Sequence, residues 1–299
     1  MIISCVLVVY LFLVLILVLY INLYKMPVTY NSHATVTFCE CAESDRSLQQ
    51  LGEKASSGFS IAQLERAKAW FEQRGIACIL IPLPNPNGTG PDGAVLVARA
   101  AVPLLCGVPS QAHVMDELLQ IPYDTKMIHY GKLAEKRARH CNVLADHDQS
   151  PDYGTRQSTV VRFARVPALE RMRAQLPDIL GSDATNMFAE VNKYPSAADD
   201  AVIGGIGFHG DSERRRVVAA RFGTSAFLLR FVWFRSHKVA SGPIDVTVFP
   251  GDVYIMSDAA VGHDWKCSGR HTLRHAAGAP KYTRPSKTAL AGTPFAELF

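Results

Sequence analysis

His209, Gly210 and Asp211 close the apolar stretch Ile206-Gly207-Phe208 and set an imidazole and a carboxylate two residues apart. On an extended strand alternate residues face the same way, so the two side chains converge on one point. Two imidazoles and one carboxylate on one face of an octahedral metal leave three positions open, which is how non-heme Fe(II) oxygenases admit a co-substrate and dioxygen. The His-x-Asp pair is two thirds of that set. His263 lies 52 residues after Asp211, and Arg274 lies 11 residues after His263. A third ligand returning from a later strand, followed by a guanidinium able to grip a carboxylate through two parallel hydrogen bonds, is what a 2-oxoglutarate site requires.

From about Asp146 to Tyr282 the chain resembles the AlkB-like branch of the Fe(II)/2-oxoglutarate-dependent dioxygenases. Asn192-Lys193-Tyr194-Pro195 is similar to the family's Asn-x-Tyr, and Gly207-Phe208-His209-Gly210-Asp211 to its metal strand. VVAARFG (Val217 to Gly223) resembles the inner strand that follows, and Gly251-Asp252-Val253-Tyr254-Ile255-Met256 the turn and strand before the distal histidine. The phrases GIGFHGDSERR, GDVYIMS and TLRHAAG are most like a group found in large DNA viruses and protists. The resemblance implies a double-stranded β-helix (jelly-roll, cupin-like) core with flanking helices. It also implies Fe(II) held by His209, Asp211 and one distal histidine, with 2-oxoglutarate and O2 as co-substrates. Asn192, Tyr194, Arg270 and Arg274 would hold the 2-oxoglutarate. The implied reaction couples decarboxylation to succinate with oxidation of a substrate C–H bond, and the implied substrate is an alkylated nucleobase in DNA or RNA, demethylated in single-stranded nucleic acid.

Two features depart from the family. Arg270 and Arg274 are four apart with Thr272 between, where six with an Asn between is usual, and Asp264-Trp265-Lys266-Cys267 carries Cys where a ligand His would stand. The distal ligand is therefore one of His263 and His275, with His263 favoured by its spacing to Arg274. On a regular strand Arg270, Thr272 and Arg274 face away from His271, Leu273 and His275, so Arg274 and His275 both point inward only across a bulge. If His275 is the ligand, Lys281 becomes the fallback partner for the distant carboxylate.

The elements that must position these residues are legible in part. With 299 residues, 48% hydrophobic and 19% charged, the chain has material for a packed core, which excludes collagen-like and disordered classes. Seven cysteines without a C-x-x-C pair indicate neither a disulfide framework nor a zinc ribbon, and fit a reducing compartment. Ser60 caps a helix with apolar residues at Ile61, Leu64, Ala67, Trp70 and Phe71, and Ile76 to Pro82 reads as a buried strand. A second helix starts at Pro167. The last third is a series of short strands broken by Gly and Pro: 187–191, 202–208, 217–222, 226–234, 244–249, 253–256 and 272–276. That pattern predicts an α+β chain with a sandwich or barrel. The expected organisation is an apolar segment over 1–25, a polar tail over 26–59, an α/β extension over 60–145 packing on the core, the dioxygenase domain over 146–285 and a tail over 286–299.

Residues 2–24 carry no charge and as a helix would extend about 34 Å, enough to cross a bilayer. Lys25 on the carboxyl side then places the body in the cytosol. If translation starts at Met26, the protein is soluble and intracellular. The net charge of +4 is too mild to demand a polyanionic partner. However, Arg214, Arg215, Arg216, Arg221, Arg230, Arg235 and Lys238 crowd the metal strand, as a site opening toward phosphates needs. Tyr153 is similar to a position in the family's substrate lid. The alternatives are a hydroxylase of a protein side chain or small molecule with the same metal chemistry, and an inactive membrane-tethered binding module.

Overall fold

Apolar runs rich in Val, Ile and Phe, cut at short intervals by Gly and Pro, leave most of this chain only one way to bury its side chains, as paired strands. A computed structural model describes residues 32–197 and 203–299. The apolar segment 2–24 lies outside them, and among the described residues no helix is long and apolar enough to cross a membrane. In chain order the elements are β1 (Ser32–Cys39), β2 (Cys41–Glu43), β3 (Gln50–Gly52), α1 (Ile61–Glu72), β4 (Cys78–Leu83), β5 (Gly93–Ala98), α2 (Val102–Cys106) and α3 (Gln111–Leu119). There follow β6 (Lys126–His129), β7 (Lys132–Glu135), β8 (His140–Ala145), β9 (Val160–Arg162), α4 (Pro167–Leu180), β10 (Phe188–Pro195), β11 (Gly205–His209) and β12 (Val217–Phe222). The chain ends with β13 (Phe227–Arg235), β14 (Lys238–Val239), β15 (Ile244–Val248), β16 (Val253–Met256), α5 (Asp258–Val261), β17 (Thr272–Gly278) and α6 (Lys287–Leu290).

The fold is mixed α+β and dominated by two antiparallel sheets. The larger has the order β4-β5-β16-β12-β1-β10-β8-β9, with only β8 and β9 parallel, and the smaller β11-β17-β13-β14 with β15 also on β13. Alternation sorts each strand between two cores. On β1, Val36 and Phe38 join the helix-side core with Leu64 and Phe71 of α1 and Leu169 and Met172 of α4. The opposite face of the large sheet, with Tyr194, Val217 and Tyr254, packs against Phe227, Phe231 and Leu273 of the small one. The predicted first helix forms with a full capping box, in which the Ser60 side chain accepts from the Gln63 amide and Gln63 returns a bond to the Ser60 backbone. The Pro167 helix forms with proline in its first turn.

Three boundaries need correction. From Ser32 onward the expected polar tail over 26–59 is built into the fold, because β1 is hydrogen-bonded on both edges, to β10 and to β12, in the middle of the large sheet. The segment 60–145 is not an extension packed on a separate core, since β4, β5 and β8 are strands of that same sheet. The terminal residues 286–299 are not free either: Ala289, Leu290, Phe295 and Phe299 cover the outer face of the small sheet at Val232 and Phe234.

Candidate metal centre

β11 enters the small sheet beside β17 with one extra residue between Ile206 and His209, so that Ile206 lies opposite Ala277 and His209 opposite His275. That bulge turns the His209 ring toward the cavity between the sheets. Asp211 follows just past the strand end, its backbone amide donating to the Val261 carbonyl at 3.0 Å. Gly210 fits where no side chain does, because an added Cβ would run into the Gly262 carbonyl and meet Trp265 Cβ at 2.9 Å. One ligand atom from each of His209, Asp211 and His275 falls within 4.8 Å of the others. Asp211 Oδ1 stands 3.4 Å from His209 Nε2 and 3.7 Å from His275 Nε2, and the two imidazole rings are 4.5 Å apart. A cation with donors at about 2.1 Å needs neighbouring donors about 3 Å apart, so a small closure completes the set. The group opens on a cavity of about 1010 Å³ lined by both sheets.

The charges around the group suit metal ligation. Burial drives the His275 imidazole down to about 4, and the neighbouring His209 charge adds to this, so the ring is neutral at ordinary pH with its lone pair free. Burial also opposes a charge on His209, but the hydrogen bond and charge of Asp211 outweigh it and raise that ring. His209 Nδ1 donates to the Gly207 carbonyl at 2.7 Å, which directs Nε2 at Asp211. Burial pushes the Asp211 carboxyl up, whereas Arg214 and the two imidazoles pull it the other way and prevail, holding it below the usual carboxylate range.

No protein-family model matches the chain. The uncharacterized protein R156 of Acanthamoeba polyphaga mimivirus is 32% identical over 259 residues, covering 84% of this chain and 97% of that protein. The chain belongs to the family of that viral protein. The match takes in more residues than 146–285 contains, so strands outside that segment are part of what the family shares.

The other predicted site residues divide between the cavity and its outside. Asn192 and Tyr194 line it from β10, as strand residues on the face that carries Glu190. His263 does not join the metal group: its Nδ1 faces Asp258 Oδ1 at 3.5 Å, beyond the left-handed turn at Gly262. His275 takes the place that spacing had favoured for His263. Arg274 points to the opposite face of β17, its guanidinium 4.3 Å from the Phe234 ring and 5.1 Å from the Trp265 ring. Arg270 is 63% exposed and pairs with Asp264 at 2.8 Å, and Lys281 is exposed against Tyr282. None of these three cations lines the cavity. Tyr153 does not line the cavity, and its hydroxyl donates to Asp124 at 3.2 Å.

Most of the arginine run is paired within the chain, although only Arg214 and Arg221 are buried and Arg235 is exposed. Arg214 is buried on Glu190 and Glu213, Arg215 pairs with Asp258, Arg216 with Asp183 and Arg230 with Asp245. Arg221 is fully buried with its guanidinium 4.3 Å from the Phe227 ring, and Lys238 donates to carbonyls of Thr288 and Ala291. Sequence reasoning missed Glu190, Thr35 and Arg139 as cavity residues, and placed Arg214 beside the metal strand but as a phosphate contact rather than the partner of Glu190. The only signal for Arg139 was the basic run from Lys132. Thr35 gave none, because its strand read as tail.

Proposed function

We propose that the protein is an Fe(II)- and 2-oxoglutarate-dependent dioxygenase of the AlkB type that demethylates alkylated nucleobases, its two sheets forming the halves of a double-stranded β-helix. The observation that carries the reading is the convergence of His209, Asp211 and His275 at the wall of a cavity large enough for a co-substrate and part of a substrate. A bound ferrous ion would supply dioxygen activation coupled to oxidative decarboxylation of the 2-oxo acid. The protein's own part is to hold two imidazoles and one carboxylate in place and to keep that chemistry between two sheets. Asn192 and Tyr194 give the cavity polar wall positions beside the metal group, and the Thr35 hydroxyl, buried there without a hydrogen-bond partner among the described residues, offers another.

The internal pairing of the arginine run favours a second reading, the same chemistry directed at a protein side chain or small molecule. Measuring succinate formed from 2-oxoglutarate and Fe(II), with and without methylated single-stranded oligonucleotide, separates the two. Oligonucleotide-stimulated turnover that is abolished by His275→Ala and retained by His263→Ala is the expected result. Turnover indifferent to oligonucleotide selects the second reading, and none in a folded sample refutes both.

A further inference from the structure

We propose that Arg139 is the residue that binds a carboxylate of the 2-oxo acid held at the metal, in place of Arg270 and Arg274. The proposal rests on the dioxygenase reading and names a residue from the N-terminal half of the chain. Arg139 lies in the loop leading into β8, half-buried, and lines the same cavity as His209, Asp211 and His275. Its Nε donates to Asn192 Oδ1 at 2.6 Å, which spends the inner edge of the guanidinium and fixes its plane. Among the described residues no carboxylate pairs with it, whereas Arg214, Arg215, Arg216 and Arg230 are each matched to one. A guanidinium oriented in a cavity wall with no carboxylate in contact, Glu190 and Asp45 acting on it only from a distance, keeps its outer edge for a carboxylate ligand. Arg221, the other large cation between the sheets, is stacked on Phe227 and does not line the cavity.

The position of Arg139 is set by a chain of bonds that ends at the metal group. The Asn192 side-chain amide donates to Glu190 Oε1 at 2.8 Å, and Arg214 donates to Glu190 Oε2 at 2.5 Å. Arg214 Nε then stands 3.7 Å from Asp211 Oδ2. The same buried network therefore orients the carboxylate that would hold the metal and the guanidinium that would hold the ligand, as partners beyond the ligands themselves commonly do.

The test titrates 2-oxoglutarate and succinate into the full chain by calorimetry, metal-free and loaded with Co(II), and follows the Co(II) visible absorption. Arg139→Gln should weaken 2-oxoglutarate about ten- to a hundredfold, the worth of one charge-assisted contact, with Arg139→Lys between it and the wild type. Arg270→Gln should bind as the wild type does, and the Co(II) absorption without 2-oxoglutarate should be the same in all four proteins. Wild-type affinity in a folded Arg139→Gln protein overturns the proposal, as does a wild type that binds neither acid. If Co(II) does not bind, or binds equally to His275→Ala, the metal reading falls, and the metal-free titrations still decide Arg139.

Discussion

The two imidazoles of the metal group sit in opposite electrostatic situations, and this gives the metal-free protein a particular acid response. His275 is depressed to about 4 from an ordinary 6.5, so between those values the unfolded chain binds a proton that the folded one refuses. Its contribution is present above pH 6.5 and is lost as the pH falls toward 4, at most about 3 kcal/mol over the window. His209 is raised, so its contribution is full below its unfolded value and fades as the pH rises above it. Urea midpoints of the metal-free chain should therefore fall between pH 6.5 and 4.5, and His275→Asn should flatten that limb. An unchanged slope in the variant would refute the assignment. Gly210→Ala is expected to cost about 1–3 kcal/mol and to weaken Co(II) binding, because its Cβ must displace the Gly262 carbonyl or Trp265 between two ligands. A stable, metal-tight Gly210→Ala protein would count against this packing. At this scale the pair His209 and Asp211 was readable from spacing, and the third member was narrowed to His263 or His275 without the choice between them being fixed. A count of residues to Arg274 selects His263, whereas strand alternation puts Arg274 and His275 on opposite faces of β17, and only one face meets the cavity.

Among the elements, β1 shows most clearly where reading the sequence failed. SHATVTFC has the period of a strand, yet its inward positions are His33, Thr35 and Thr37, so the apolar alternation that marks a strand is present on one side only. Thr35 and Thr37 line the cavity, and a site therefore hid the element that builds it. β12 and β16 were legible because they are buried on both faces, and the Ser60 helix because its cap and first turn agree. β1 joins β10 to β12 through bonds on both edges and packs Phe38 against Phe163 with ring centres 6.3 Å apart. Phe38→Ala should cost about 3–5 kcal/mol, a large share of the roughly 5–15 kcal/mol that holds a domain together. A chain beginning at residue 60 should lack native near-ultraviolet dichroism and cooperative unfolding. Recovery of a cooperative transition from it would show that β1 is dispensable.

For the whole molecule, charge placement decides how a polyanion would be met. A net +4 with seven basic residues near the metal strand invites a phosphate-binding face, but Arg214, Arg215, Arg216 and Arg230 are already paired within the chain, with Glu190, Asp258, Asp183 and Asp245. The exposed basic side chains that line the cavity mouth are Arg46, Lys54 and Lys266, near the Trp265 ring. Each phosphate neutralised on a single strand contributes about −0.7 to the slope of log K against log salt. Three contacts give about −2, and all seven of the sequence cluster would give about −5. Oligonucleotide anisotropy measured from 50 to 200 mM salt, ordinary working values on the order of the physiological range, should therefore show the shallow slope. It should become shallower still in Lys266→Ala and stay unchanged in Arg230→Gln. A slope near −5 would mean that the internal ion pairs open on binding. No measurable binding at the lowest salt would leave a protein side chain or small molecule as the substrate, since the cavity and its His/Asp/His group impose no requirement for a phosphate chain.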